Sequence, residues 1–236
     1  MISACFAGPL DRARRAADDQ WAMAHLLLEE LPPAQRLALA YAPGAAKQPT
    51  LALLALDLRL AKTLQRKGEP VLAQMRFAWW RDTLAKERAA WPRGDEVLAL
   101  LRDWRDPAAL TPLVDGWEML LADRFDSAAI GEFADGRGRA FGQLAAELGT
   151  DPGPARACGE LWALGDLAAN IGDPAEREAV VEAARRLPRC TGLPRALRPL
   201  AVLAGLAQRA LGRGGSPLLD GPGAAFLAMR LGITGR

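Results

Sequence analysis

Few side chains in this sequence are typed and spaced for chemistry. His25 is the only histidine, and no base or nucleophile stands at a matching spacing. Neither a Ser-His-Asp nor a Cys-His arrangement can be built around it, so a structural role is expected. Cys5, Cys158 and Cys190 are far apart and odd in number, and none has a Cys or His at ligand spacing. A structural zinc site is therefore not expected, and a reducing, cytosol-like compartment is. Asp103 with Asp106, Asp115 with Glu118, and Asp123 with Asp126 are acidic pairs three residues apart. Solvation or helix capping accounts for each. Gly136-Arg-Gly lies inside a helical pattern rather than after a strand, so it is not a phosphate-binding loop.

Two basic stretches remain. Arg59, Lys62 and Arg66 fall on one helical stripe, which reads as a solvated face. No acid lies between Glu182 and Asp220, whereas Arg185, Arg186, Arg189, Arg195, Arg198, Arg209 and Arg213 all do. Leu200, Leu203, Ala207 and Leu211 share one helical face in that segment. Arginines beside an apolar face can lie on an anionic membrane surface, at about 1 kcal/mol per charge near the lipid. A core helix with solvated arginines accounts for the same pattern. A net charge of +2 and few aromatics among the arginines speak against nucleic acid as a partner.

The elements that must position these residues are helices. Half of the 236 residues are hydrophobic, mostly Ala and Leu, and Tyr41 is the only tyrosine. Straight-chain residues lose little rotamer freedom in a helix, and no alternating strand pattern appears. The periodicity predicts helices over 21–31, 35–41, 49–67, 70–90, 95–104, 112–124, 130–148, 155–171, 175–187 and 194–211. Leu72, Met75 and Trp79 form a second apolar stripe beside Phe77, Trp80 and Leu84, which predicts a central place for that helix. One helical domain is expected over 1–211. The Gly-rich stretch from Gly212 reads as a flexible linker, and a short tail helix, 224–231, ends the chain. Met1 to Leu10 makes a poor signal peptide, and no run of about 20 apolar residues could span a bilayer.

The segment Glu69-Pro-Val-Leu-Ala-Gln-Met-Arg-Phe-Ala-Trp-Trp-Arg-Asp-Thr-Leu carries Arg76, Trp79, Trp80, Arg81 and Asp82. It resembles the tryptophan-rich signature helix of the squalene/phytoene synthase family. Weaker similarities lie in Leu31-Pro-Pro-Ala-Gln-Arg with Tyr41-Ala-Pro and Leu51 to Asp57, in Leu113 to Glu118 and Phe133 to Phe141, and in Gly159 to Ile171 and Leu193 to Leu200. The resemblance spans about residues 20–211 and implies an all-α, single-domain bundle of the isoprenoid synthase type.

The same resemblance implies two acidic motifs on facing helices that hold Mg²⁺ against a diphosphate. Carboxylates one turn apart share a helix face, and Mg²⁺ requires hard oxygen ligands. The first motif falls on Ala61, Lys62 and Gln65, none of them acidic. The second falls on Asn170 and Asp173, with Glu176 and Arg177 where the partner acid belongs, and Pro174 interrupts the helix. The pattern is similar to a subgroup without aspartate motifs, which includes a respiratory complex I assembly factor associated with the inner membrane. It implies a non-catalytic protein without cofactor, cytoplasmic or peripheral to the inner membrane. Its role would be binding or assembly, with an isoprenoid-like apolar ligand or a respiratory-type membrane complex as partner. Two alternatives stand beside it: a working Mg²⁺-dependent prenyl-diphosphate transferase with displaced ligands, and a helical interaction domain whose cavity has collapsed.

Overall fold

The computed structural model describes residues 24–64, 70–122 and 125–235, and all regular structure among them is helical. The helices are α1 (24–30), α2 (Pro33–Leu39), α3 (Gly44–Leu64), α4 (Pro70–Ala85), α5 (Glu96–Leu101), α6 (Thr111–Met119), α7 (Ser127–Glu147), α8 (Pro152–Asn170), α9 (Pro174–Arg185), α10 (Arg198–Leu211) and α11 (Pro222–Thr234). Short 3₁₀ turns precede α6 and α10. The expected all-α class holds.

Local chemistry sets most helix starts. Asp95, Asp126, Asp151 and Asp173 each accept a backbone N–H from the first turn of α5, α7, α8 and α9. An aspartate at this position satisfies donors that the helix itself leaves unpaired. Pro33, Pro152, Pro174 and Pro222 stand in first turns, where a missing N–H costs nothing. Pro49 is different. The helix expected to open there begins at Gly44, so Pro49 lies inside α3 at the loss of one backbone hydrogen bond.

α7 and α8 pack along their lengths; α6 lies on α7, α10 on α8, and α11 on α10. Small residues permit this closeness. A Cβ on Gly159 would stand 3.0 Å from the Cβ of Phe141, and one on Gly138 would stand 3.0 Å from the carbonyl oxygen of Arg156. Phe141 meets Trp162 edge-on at 5.3 Å, and Trp117 meets Phe133 at 4.9 Å, arrangements the ring quadrupoles favour. The core runs without a break from Leu27 to Ala228.

Three sequence expectations change. The stripe Phe77, Trp80 and Leu84 of α4 is buried, but Leu72, Met75 and Trp79 are exposed, so α4 lies at the margin rather than the centre. Leu200, Leu203 and Ala207 are buried against α8, which removes that face of α10 from any membrane. The tail helix is longer than expected and docks, with Ala224 and Ala228 fully buried. Ring atoms of Tyr41 cover Gly232, leaving no room there for a side chain.

The cysteines also depart from expectation. Cys158 and Cys190 form a disulfide, their Cα atoms 4.9 Å apart, that ties α8 to the segment after α9. Thirty-two residues separate them in sequence, which is why spacing alone gave no sign of the pair. The bond removes the basis on which a reducing compartment was expected.

Candidate functional site

Of the positions the resemblance assigns to the two motifs, Ala61 and Lys62 lie on α3, and Asn170, Asp173, Glu176 and Arg177 lie around the end of α8 and the start of α9. Ala61 offers no ligand atom and packs against the core. Lys62 extends its Nζ to Glu30 at 2.6 Å, so its charge is spent on tying α3 to α1 at the surface. Glu30 is held below its ordinary carboxylate range, chiefly by that hydrogen bond. Gln65 lies outside the described residues. Asn170 turns its amide back to the carbonyl oxygen of Asp166 at 2.8 Å. The Oδ1 of Asp173 accepts from the N–H groups of Ala175 and Glu176 at 2.8 and 3.0 Å, which makes it the cap of α9. The Glu176 side chain is exposed, and the Arg177 guanidinium donates to the carbonyl oxygen of Ile171 at 2.7 Å. The structure does not bring these residues together as a ligand set.

One turn before Ala61 and Asn170 stand carboxylates, Asp57 on α3 and Asp166 on α8. Arg137 of α7 joins them. Its Nε and Nη2 donate to the two oxygens of Asp57 at 3.0 and 2.5 Å, and its Nη1 donates to Asp166 at 2.9 Å. The indole N–H of Trp117 adds a fourth bond, to Asp57 at 2.8 Å. The guanidinium carbon lies 3.8 Å from the centre of the Trp162 ring and 5.2 Å from those of Trp117 and Phe133. All three lie within the range at which a cation is drawn to a ring.

Burial decides the electrostatics. The Arg137 and Asp57 side chains are only 2% and 4% exposed, whereas Asp166 is 22% exposed. Burial pushes the Asp57 carboxyl up, against the pull of Arg137 and Trp117. Hydrogen bonding decides for the ionised form, because both Asp57 oxygens accept and a proton on either would face a donor. For Arg137 burial opposes the charge, but Asp57 and Asp166 outweigh it, and the guanidinium is held above its ordinary value.

The sequence pointed past this network. Asp57 sits in the apolar run Leu53, Leu54, Leu56 and Leu60, and Arg137 lies among Phe133, Ala140, Phe141 and Leu144. A charge at a core register of an amphipathic helix was the available signal, since such residues are buried only when paired. The space between Asp57, Arg137 and Trp162 is too small to admit a water molecule.

The tryptophan helix α4 divides its residues. Trp80 is buried and meets the exposed Trp79 edge-on at 4.9 Å. Arg81 pairs with Asp115 at 2.6 Å and with Glu118, joining α4 to α6 and accounting for one of the acidic pairs. Asp82 is exposed. Arg76 lines a surface groove of about 420 Å³ with Glu30, Arg59, Lys62 and Trp79, and its Nη1 is buried without a hydrogen-bond partner. The C-terminal arginines also separate. Arg185 and Arg186 pair with Glu182, while Arg189 and Arg195 are exposed. Arg198 turns inward to donate to the carbonyl oxygen of Leu231 at 3.2 Å.

Among the described residues no three His, Cys, Asp or Glu side chains converge to hold a metal ion, and no helix is long and apolar enough to cross a membrane. Compared with protein-family models, curated proteins and solved structures, the chain matches none.

Proposed function

We propose that this chain is a non-catalytic helical protein of the squalene/phytoene synthase kind that works by binding or assembly. The observation that carries the reading is the position of Arg137. Catalysis on prenyl diphosphates needs a cavity between facing acidic helices and a divalent cation bound there to neutralise the leaving group. Here the facing carboxylates of Asp57 and Asp166 enclose a guanidinium instead. Trp117, Phe133, Phe141 and Trp162 fill the surrounding volume. The residues present do not fit Mg²⁺, since Ala61 has no donor atom and Lys62 already holds Glu30.

The filled centre also favours the interaction-domain reading over one in which an apolar ligand occupies the bundle axis. In both, function moves to the outside of the bundle. The exposed row Val71, Leu72, Met75 and Trp79 on α4 is a surface such a role would use. Purified full-length protein incubated with farnesyl or geranylgeranyl diphosphate and Mg²⁺ should give no product. Turnover that stays with the protein at constant specific activity through successive purification steps would overturn the proposal.

A further inference from the structure

The C-terminal third carries a half-open cavity of about 820 Å³ built from α9, the segment after it, α10 and α11, with Leu161 of α8. Asp57, Arg137 and Asp166 do not line it, so a ligand bound there is independent of the non-catalytic reading.

Two chemistries share this cavity. Leu161, Val181, Leu187, Leu227 and Leu231 supply an apolar wall. Arg185, Arg189, Arg209, Arg230, Thr191 and Gln208 supply a polar one, and no carboxylate lines it. Arg185 is neutralised by Glu178 and Glu182. Arg189, Arg209 and Arg230 have no carboxylate partner among the described residues. The Nη1 of Arg209 is buried and has no hydrogen-bond partner. A guanidinium nitrogen withdrawn from water without an acceptor carries a desolvation penalty that a bound anion would remove. The disulfide holds Cys190, itself a wall residue, against α8.

We propose that this cavity binds an amphipathic phosphate. The phosphate oxygens pair with Arg189, Arg209 and Arg230, and the apolar chain lies along Leu161, Val181 and Leu227. Three unpaired guanidiniums exceed what a single carboxylate balances, and their planar forks match phosphate oxygens two at a time. The volume is that of an ordinary small-molecule site. The ligand has two sources, a free alkyl phosphate or the headgroup of a phosphomonoester lipid in a bilayer. On the outside of α11, Phe226, Met229 and Ile233 are 64%, 46% and 67% exposed at helical spacing around Arg230, a face suited to the lipid source.

The test titrates full-length protein with dodecyl phosphate, dodecyl maltoside and inorganic phosphate by calorimetry. Binding to vesicles of phosphatidylcholine with and without phosphatidic acid is measured by sedimentation. Dodecyl phosphate should bind one to one and more tightly than either partial ligand. Arg189→Gln/Arg230→Gln, both exposed and expected to fold, should weaken it at least about tenfold, as losing charged hydrogen bonds requires. Arg209→Gln should do the same, with folding checked by circular dichroism. Vesicle binding that needs phosphatidic acid and falls in these variants identifies the lipid source; binding of the free alkyl phosphate alone identifies the other. Equal affinity for the uncharged detergent, or no loss in the exposed double variant in either assay, would overturn the proposal.

Discussion

Arg137 grips both oxygens of Asp57, at 3.0 Å from Nε and 2.5 Å from Nη2, across a part of the bundle that admits no water. Three helices meet around that pair. α3 supplies the carboxylate, α7 the guanidinium, and α8 both a second carboxylate and the Trp162 ring that covers the cation.

Removing one partner leaves an uncompensated buried charge, so Arg137→Met should cost about 3–5 kcal/mol. Asp57→Asn should cost a similar amount. The double variant should lose less than the sum, because each single change includes the penalty of stranding the other group. Urea midpoints of the three variants measure this coupling. Additive losses would mean that the pair contributes nothing as a pair.

This network also marks the limit of what the sequence disclosed. Helical class, most helix ends and the stripe Phe77, Trp80 and Leu84 were legible because period and capping are local properties. The capping bonds of Asp173 are local in the same way, reaching only two and three residues ahead. The Asp57–Arg137 pair spans 80 positions and the Cys158–Cys190 bond 32, and neither leaves a short-range signature. The outward turn of Leu72, Met75 and Trp79 was equally hidden. A helix apolar on two sides does not declare which side finds a neighbour.

Close helix packing makes opposite predictions for two glycines. A Cβ on Gly165 of α8 would press into Ala207 of α10, backbone included. Gly165→Ala should therefore destabilise by about 1–3 kcal/mol, as overpacking does. Gly131 is exposed on α7, and a Cβ there would meet nothing within 4 Å. Gly131→Ala should stabilise by about 0.5–1 kcal/mol through the entropy of the unfolded chain. Thermal midpoints that move in the same direction for both would contradict the packing described.

The disulfide should stabilise by about 3–4 kcal/mol in the chain-entropy picture, given a loop of 32 residues. Cys190→Ser should lower the thermal midpoint, and adding reductant to the wild-type protein should lower it by a similar amount. Reductant should leave the variant's midpoint unchanged. Mass spectrometry after alkylation should find Cys158 and Cys190 linked in the untreated protein. A midpoint indifferent to reductant would show that the bond is absent or without consequence in solution.

Lys62 provides the pH-dependent test. Glu30 has a lowered folded-state value, so the pair contributes stability above the ordinary carboxylate value of 4.5. That contribution disappears as pH falls through the lower, folded value, where protonation breaks the bond. Both side chains are more than a third exposed, at 47% and 41%, so solvent screening limits the effect to under about 1 kcal/mol. Lys62→Gln should cost that little at pH 7 and nothing at pH 2, flattening the acid limb of the stability curve. Urea midpoints at the two pH values give the comparison. A loss above about 2 kcal/mol at pH 7 would mean that Lys62 has a structural task beyond the surface ion pair that ties α3 to α1.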